Sequence, residues 1–206
     1  MKRLISALVI GWSSLALPPV LAGVNTAQLA QTDTTVYPIK GNLPDLKFEL
    51  NSTDKSYTEE DFKGYVTLIT FGYASCPDIC PTTLAELNIL QNSLSPEQAA
   101  KVRVIFISVD PYRDTPELLK NYVSAFSDRI LGLTSDEKTI AKLAKRYRVA
   151  YQIEKPKNDD PNAYYEVMHA RGIYIFDQDL NARFLATNAI ETDKLRSSVI
   201  KLIEGK

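Results

Sequence analysis

The stretch FGYASCPDICPTT, from Phe71 to Thr83, holds the only two cysteines of the 206-residue chain, Cys76 and Cys80, with three residues between them. An apolar, β-branched run from Tyr65 to Phe71 leads into it, and leucines at 84, 87, 90 and 94 lead out of it. The first pattern is that of a buried strand and the second that of a helix with one apolar face. The cysteines therefore stand where a strand hands over to a helix. Cys80 precedes Pro81, a residue favoured at the first helical position. The helix dipole and free N–H groups favour thiolate there, so both thiols are expected to be more acidic than ordinary cysteine. Five residues span about one helical turn. If that turn forms, the two sulfurs lie on one side and can hold one soft ion or close into a strained disulfide.

Outward from this junction the same alternation continues. Val102 to Ser108 and Gly172 to Phe176 are further short apolar runs of strand type, and Leu180 to Ala186 follows a hairpin-like turn at Asp177-Gln178-Asp179. Helical stripes lie between and after them: Leu118, Leu119, Tyr122, Val123 and Phe126; Ile140, Leu143, Ala144 and Tyr147; Leu195, Val199, Leu202 and Ile203. All of these stripes read as core. The order describes an α/β protein with a central mixed sheet flanked by helices and an N-terminal hairpin extension, and it fits a thioredoxin-like fold. Asn51-Ser52-Thr53 reads as an ordinary turn.

The hydrophobic fraction of 45%, the charged fraction of 24% and the net charge of -1 are those of one ordinary globular domain. Interspersed charges of both signs give no electrostatic reason to expect nucleic acid as a partner. The N-terminus is different in kind. Lys2 and Arg3 precede an apolar stretch from Leu4 to Leu17, then Pro18-Pro19 and small residues ending at Ala22. This is the pattern of an export signal, and the uncharged run is also about long enough for a membrane anchor. Both outcomes stay open. Residues 1–22 are expected to be the signal or anchor, 23–36 a polar flexible tether, and 37–206 the domain. No cysteine lies near Ala22, which excludes a lipoprotein.

In an oxidising compartment, two cysteines ordinarily form a structural disulfide. A loop this short gains little from such a bridge. The chain has one histidine, His169, in the segment VMHARGIYIF just before the strand-like run at Gly172. In a thioredoxin-like fold the loop entering that strand faces the cysteine loop. Thioredoxins place a cis-proline there, but no proline occurs between Asn162 and Lys206. An imidazole is offered instead. Two thiolates and an imidazole are an incomplete set for structural zinc. They suit copper, since soft thiolates select Cu(I) and the imidazole also admits Cu(II). Metal binding needs deprotonated thiols, so oxidation to a disulfide would abolish the site.

TFGYASCPDICPTTLAEL from Thr70, with its CPxxCP core, and VIFISVDPYRDTPELLKNYV from Val104, with a DPxRDTP loop, closely resemble the two signatures of the Sco/SenC family. These are exported or membrane-tethered thioredoxin-like proteins that handle copper for cytochrome c oxidase assembly. The resemblance covers about Gly41 to the end. It implies one copper per domain, Cu(I) and also Cu(II), on Cys76, Cys80 and His169. It sets Asp78, Asp110 and Arg113 beside the metal or at a docking surface. The implied role is delivery of copper to the dinuclear copper site of cytochrome c oxidase subunit II, or reduction of that site's thiols. The implied partners are that subunit or another copper protein, a copper donor and a thiol reductant. The implied location is the periplasmic side of a bacterial inner membrane, anchored or released.

The chain departs from the family pattern in three places. Met168 replaces an aspartate before the histidine, Tyr112 replaces an acid in the DPxRDTP loop, and Ala170-Arg171 replaces small or hydroxyl residues after the histidine. Met168 is expected to pack on the face opposite His169. Asp114 and Thr115 read equally well as a turn and helix cap ahead of Pro116. Two other functions remain open. One is a thiol-disulfide oxidoreductase with Cys76 and Cys80 as the catalytic couple; the other is a copper or redox sensor.

Overall fold

The computed structural model describes residues 36–39, 41, 43–154, 165–187 and 192–205. The expected signal or anchor, and all but the last residue of the tether, lie outside them. The first half of the domain contains strands Val36–Pro38 (β1), Glu49–Asn51 (β2), Ser56–Thr58 (β3) and Val66–Gly72 (β4), helices Ile79–Ser93 (α1) and Pro96–Ala100 (α2), and strand Val102–Ser108 (β5). Helix Pro116–Ser124 (α3), strand Ile130–Leu133 (β6), helix Glu137–Arg146 (α4) and strands Tyr151–Ile153 (β7) and Val167–His169 (β8) follow. Strands Ile173–Phe176 (β9) and Ala182–Ala186 (β10) and helix Thr192–Ile203 (α5) complete it.

All seven residues of β4 are buried, because both faces of the strand are covered. Six strands form one mixed sheet in the order β1-β10-β9-β4-β5-β6. β4, β5 and β6 run parallel, whereas β9 lies antiparallel to β4. Side chains alternate across the sheet and divide the core in two. Leu68, Val104 and Phe106 meet Leu84, Leu119 and Val199 on one side. Ile69, Phe71, Ile105 and Ile107 meet Leu50, Ile140 and Tyr147 on the other.

The expected N-terminal hairpin is β2–β3, and its turn closes with the Ser52 amide donating to the Lys55 carbonyl at 3.0 Å. The turn at Asp177 is also as expected. Its carboxylate accepts the amides of Asp179 and Asn181 at 3.0 and 2.9 Å, and β9 and β10 pair antiparallel across it. Strands β1, β6, β7 and β8 are additions to the expected set. No described helix is long and apolar enough to cross a membrane.

One consequence of the register places the functional site. Gly72 and Ser108 end β4 and β5 side by side, and the Val109 amide donates to the Gly72 carbonyl at 2.8 Å. The cysteine loop and the Asp110–Thr115 loop therefore emerge next to each other at one end of the sheet.

Candidate metal centre

Helix α1 starts at Ile79 and not at Pro81 as the sequence suggests, so Cys80 is its second residue and Pro81 its third. Proline is tolerated there because first-turn amides have no partner within the helix. Cys76 stands before the helix, its amide donating to the Tyr73 carbonyl at 3.2 Å. His169 ends β8, which pairs with β7 in a two-stranded ribbon separate from the main sheet. These segments bring the ligand atoms of Cys76, Cys80 and His169 within 4.8 Å of one another.

Both cysteines are free thiols. Cys80 is buried and Cys76 half-buried. The Cys80 sulfur reaches its place only because residue 72 is glycine, since a Cβ there would stand 2.4 Å from Sγ and 2.8 Å from the Phe106 ring. The expectation of an acidic Cys80 fails. Burial pushes its thiol well above the ordinary range, and the opposing hydrogen bond from the Tyr73 backbone is smaller. Taking a thiolate out of water outweighs the helix terminus here.

His169 Nε2 lies 3.3 Å from Cys80 Sγ, and Nδ1 lies 3.3 Å from the Ala170 carbonyl. A carbonyl can only accept, so this contact assigns the proton to Nδ1 and leaves the Nε2 lone pair facing the sulfurs. Burial also lowers the histidine pKa, which favours the neutral ring a metal requires. Tyr73 meets the imidazole edge-on with ring centroids 5.8 Å apart. Two soft sulfurs, one of them shielded from water, and one neutral nitrogen match a soft monovalent copper ion and accept the divalent one.

The Asp110–Thr115 loop buttresses this arrangement. Asp110 is fully buried, accepts the Tyr165 hydroxyl at 2.7 Å and pairs with Arg113 Nε at 2.5 Å. The Arg113 guanidinium lies 3.7 Å from the Tyr165 ring centroid and 5.4 Å from that of Tyr73. Asp110 and Arg113 thus reach the imidazole through Tyr73. Asp78 is exposed at the N-cap of α1, and its side chain makes no capping hydrogen bond.

Thr115 caps α3, accepting the Leu118 amide at 3.2 Å, but Asp114 has another task. It is buried and accepts the Ala74 amide and the Ser108 hydroxyl. Met168 departs from its expected packing and is exposed, on the middle of a three-residue strand whose neighbour Val167 takes the buried side. Tyr112 is also exposed and donates its hydroxyl to Glu137. Sequence reasoning passed over Tyr73, Tyr165 and Glu86. An acid among the apolar positions of α1 was the one signal for Glu86.

A thioredoxin-like domain with two thiols at a strand-to-helix junction and an imidazole facing them defines a class of thiol-based metal-site proteins. The SCO1/SenC family model matches residues 40–204. The solved structure of Bradyrhizobium japonicum ScoI with copper bound superposes with a TM-score of 0.66 at 36% identity, covering 77% of this chain and 98% of that one. Yeast Sco1 with copper bound gives 0.70 at 30% identity, covering 79% and 91%. The mitochondrial SCO2 protein of Saccharomyces cerevisiae is 38% identical over 132 residues, 63% of this chain. That match spans 43% of the yeast protein, less than half its length. The chain belongs to the SCO1/SenC family.

Proposed function

We propose that this protein binds one copper ion through Cys76, Cys80 and His169. It passes the ion to the dinuclear copper site of cytochrome c oxidase subunit II, or keeps that site's cysteines reduced. The observation that carries the reading is the convergence of two thiols and one imidazole within 4.8 Å on this frame. Structures of two similar proteins with copper bound support it. The two sulfurs would hold Cu(I), and His169 Nε2 would add the nitrogen that admits Cu(II). As cargo, copper needs a donor before binding and an acceptor afterwards, and the thiols need a reductant after oxidation. We place the domain on the periplasmic side of a bacterial inner membrane, on the strength of the Lys2 to Ala22 pattern.

Titration of the reduced protein with Cu(I) and with Cu(II) tests the reading. One equivalent of each should bind, and Cys76→Ser/Cys80→Ser should retain neither. His169→Ala should lose the thiolate-to-Cu(II) charge-transfer absorption. Stoichiometric copper on the double serine variant would overturn the assignment. The closeness of the two sulfurs also suits a dithiol/disulfide couple, and with it a reductase role. Turnover of a disulfide substrate by the His169→Ala variant, without copper binding, would favour that role over delivery.

A further inference from the structure

Two residues beyond His169, past the end of β8, Arg171 reaches back to helix α1. Its Nη2 lies 3.3 Å from each carboxylate oxygen of Glu86. The segment leaving β8 therefore touches the cysteine helix twice, through His169 at Cys80 and through Arg171 at Glu86. Between the two, Cys80, Thr83, His169 and Arg171 close around a void of about 10 Å³, room for a single water at most. Glu86 is 7% exposed, which is unusual for a carboxylate unless it is paired.

The ribbon that carries His169 is anchored at its other end, where Val167 is buried in the core and Arg113 Nη1 donates to the Tyr165 carbonyl at 3.1 Å. β7 and β8 are three residues each and stand apart from the six-stranded sheet. A two-stranded ribbon of that size is marginal in water. The Ala170 amide bonds back to the Ala150 carbonyl, within the same ribbon region.

We propose that the Glu86–Arg171 ion pair is a positioning device that clamps the histidine segment onto helix α1 and holds His169 Nε2 against Cys80. It acts through His169 and touches no metal. Without it the thiols keep their places, because Gly72 and the helix set them, while the imidazole, left with Tyr73 at its edge and the β7 pairing at its backbone, moves off Cys80. The pair therefore sets the balance between a two-sulfur and a two-sulfur, one-nitrogen donor set. In its metal consequence the proposal rests on the copper reading above, but its geometric claim does not.

The whole chain is prepared as Glu86→Gln, as Glu86→Gln/Arg171→Gln, which neutralises both members of the pair, and as the charge-swapped Glu86→Arg/Arg171→Glu. In the reduced, metal-free protein, the nuclear Overhauser effect between the His169 ring and the Cys80 β-protons disappears in the first two and returns in the swap. Copper(II) added alone binds about tenfold or more weakly to the first two, the cost typical of a missing outer partner. Cu(I) affinity changes by less than about threefold. An undiminished His169–Cys80 Overhauser effect in folded Glu86→Gln protein overturns the clamp whatever copper does. Its disappearance together with equal weakening of Cu(I) and Cu(II) overturns the separation of roles. If the Overhauser effect vanishes as expected but neither the variants nor the wild type bind copper, the copper reading falls and the clamp stands.

Discussion

Asp114 accepts the backbone amide of Ala74 at 2.9 Å, tying the loop after β5 to the loop that carries both cysteines. The same oxygen, Oδ2, takes the Ser108 hydroxyl at 2.6 Å, while Oδ1 is buried with no hydrogen-bond partner among the described residues. An ionised carboxylate with one bare oxygen is costly in a buried site. Burial accordingly raises the Asp114 pKa from 3.8 to about 6, against the lowering effect of its two hydrogen bonds.

The direction fixes a pH dependence. A carboxyl whose folded pKa stands above its unfolded value holds its proton more tightly in the native state. Its contribution to stability is full below the unfolded value and is lost as pH rises through the folded value. For Asp114 that window runs from about pH 4 to about pH 6. The loss across it is on the order of 3 kcal/mol. The charged and titratable groups around it are Asp110, Arg113, Tyr122, Tyr165 and the Cys80 thiol. Asp114→Asn removes the titrating group, so urea-unfolding free energies measured every half pH unit should show a flatter profile than wild type. Parallel profiles would refute the assignment.

Arg113 has both an electrostatic and a stacking role. It is the cation beside a fully buried Asp110, and its guanidinium plane lies against Tyr165 while facing Tyr73. Removing one partner of a buried pair leaves the other charge uncompensated and costs roughly 3–5 kcal/mol. Arg113→Ala should lose about that much. Arg113→Lys should recover only part, because a lysine restores charge without the planar fork that stacks and pairs together. Denaturation of the three proteins at one pH decides it, and full recovery by lysine would reduce the site to charge alone.

The strand cores and helix stripes could be read from sequence because period and burial agree there. Val102 to Ser108 is a strand with the expected ends, and the leucines of α1 face the core as expected. Strands β6, β7 and β8 carry no such signal. Ile130–Leu133 has four residues and is interrupted by Gly132, where a Cβ would meet the Leu119 Cβ at 3.0 Å. β7 and β8 are short and only partly covered, so alternation has no length in which to show. The three donors could be found because each is chemically rare in this chain. Asp114 and Glu86 could not, because a buried acid and a solvated one look alike until their partners, 40 and 85 residues away, are folded against them.

Gly72 separates a packing requirement from a conformational one. It has no positive φ, so alanine is compatible with its backbone. The obstacle is space, with the Cys80 sulfur and the Phe106 ring both inside the volume a methyl would take. Overpacking of this kind typically costs about 1–3 kcal/mol. Gly72→Ala should be destabilised by about that amount and should also move Cys80 off the cluster. Folded Gly72→Ala protein should therefore bind Cu(I) more weakly than wild type in competition with a chelator. Undiminished affinity would show that Cys80 can be displaced without consequence for the site.

The two thiols should differ in reactivity in the reduced, metal-free protein. Cys80 is 3% exposed, walled by Gly72 and Phe106 and covered on its open side by the His169 imidazole at 3.3 Å. Cys76 is half-buried and stands ahead of the helix. Alkylation needs access as well as thiolate, so iodoacetamide should modify Cys76 at least about tenfold faster than Cys80. Peptide mass spectrometry over a time course resolves the two. In His169→Ala the cover is gone and the Cys80 rate should rise, with Cys76 little changed. Equal rates in wild type, or no rise at Cys80 in the variant, would mean that the imidazole does not cover that sulfur in solution.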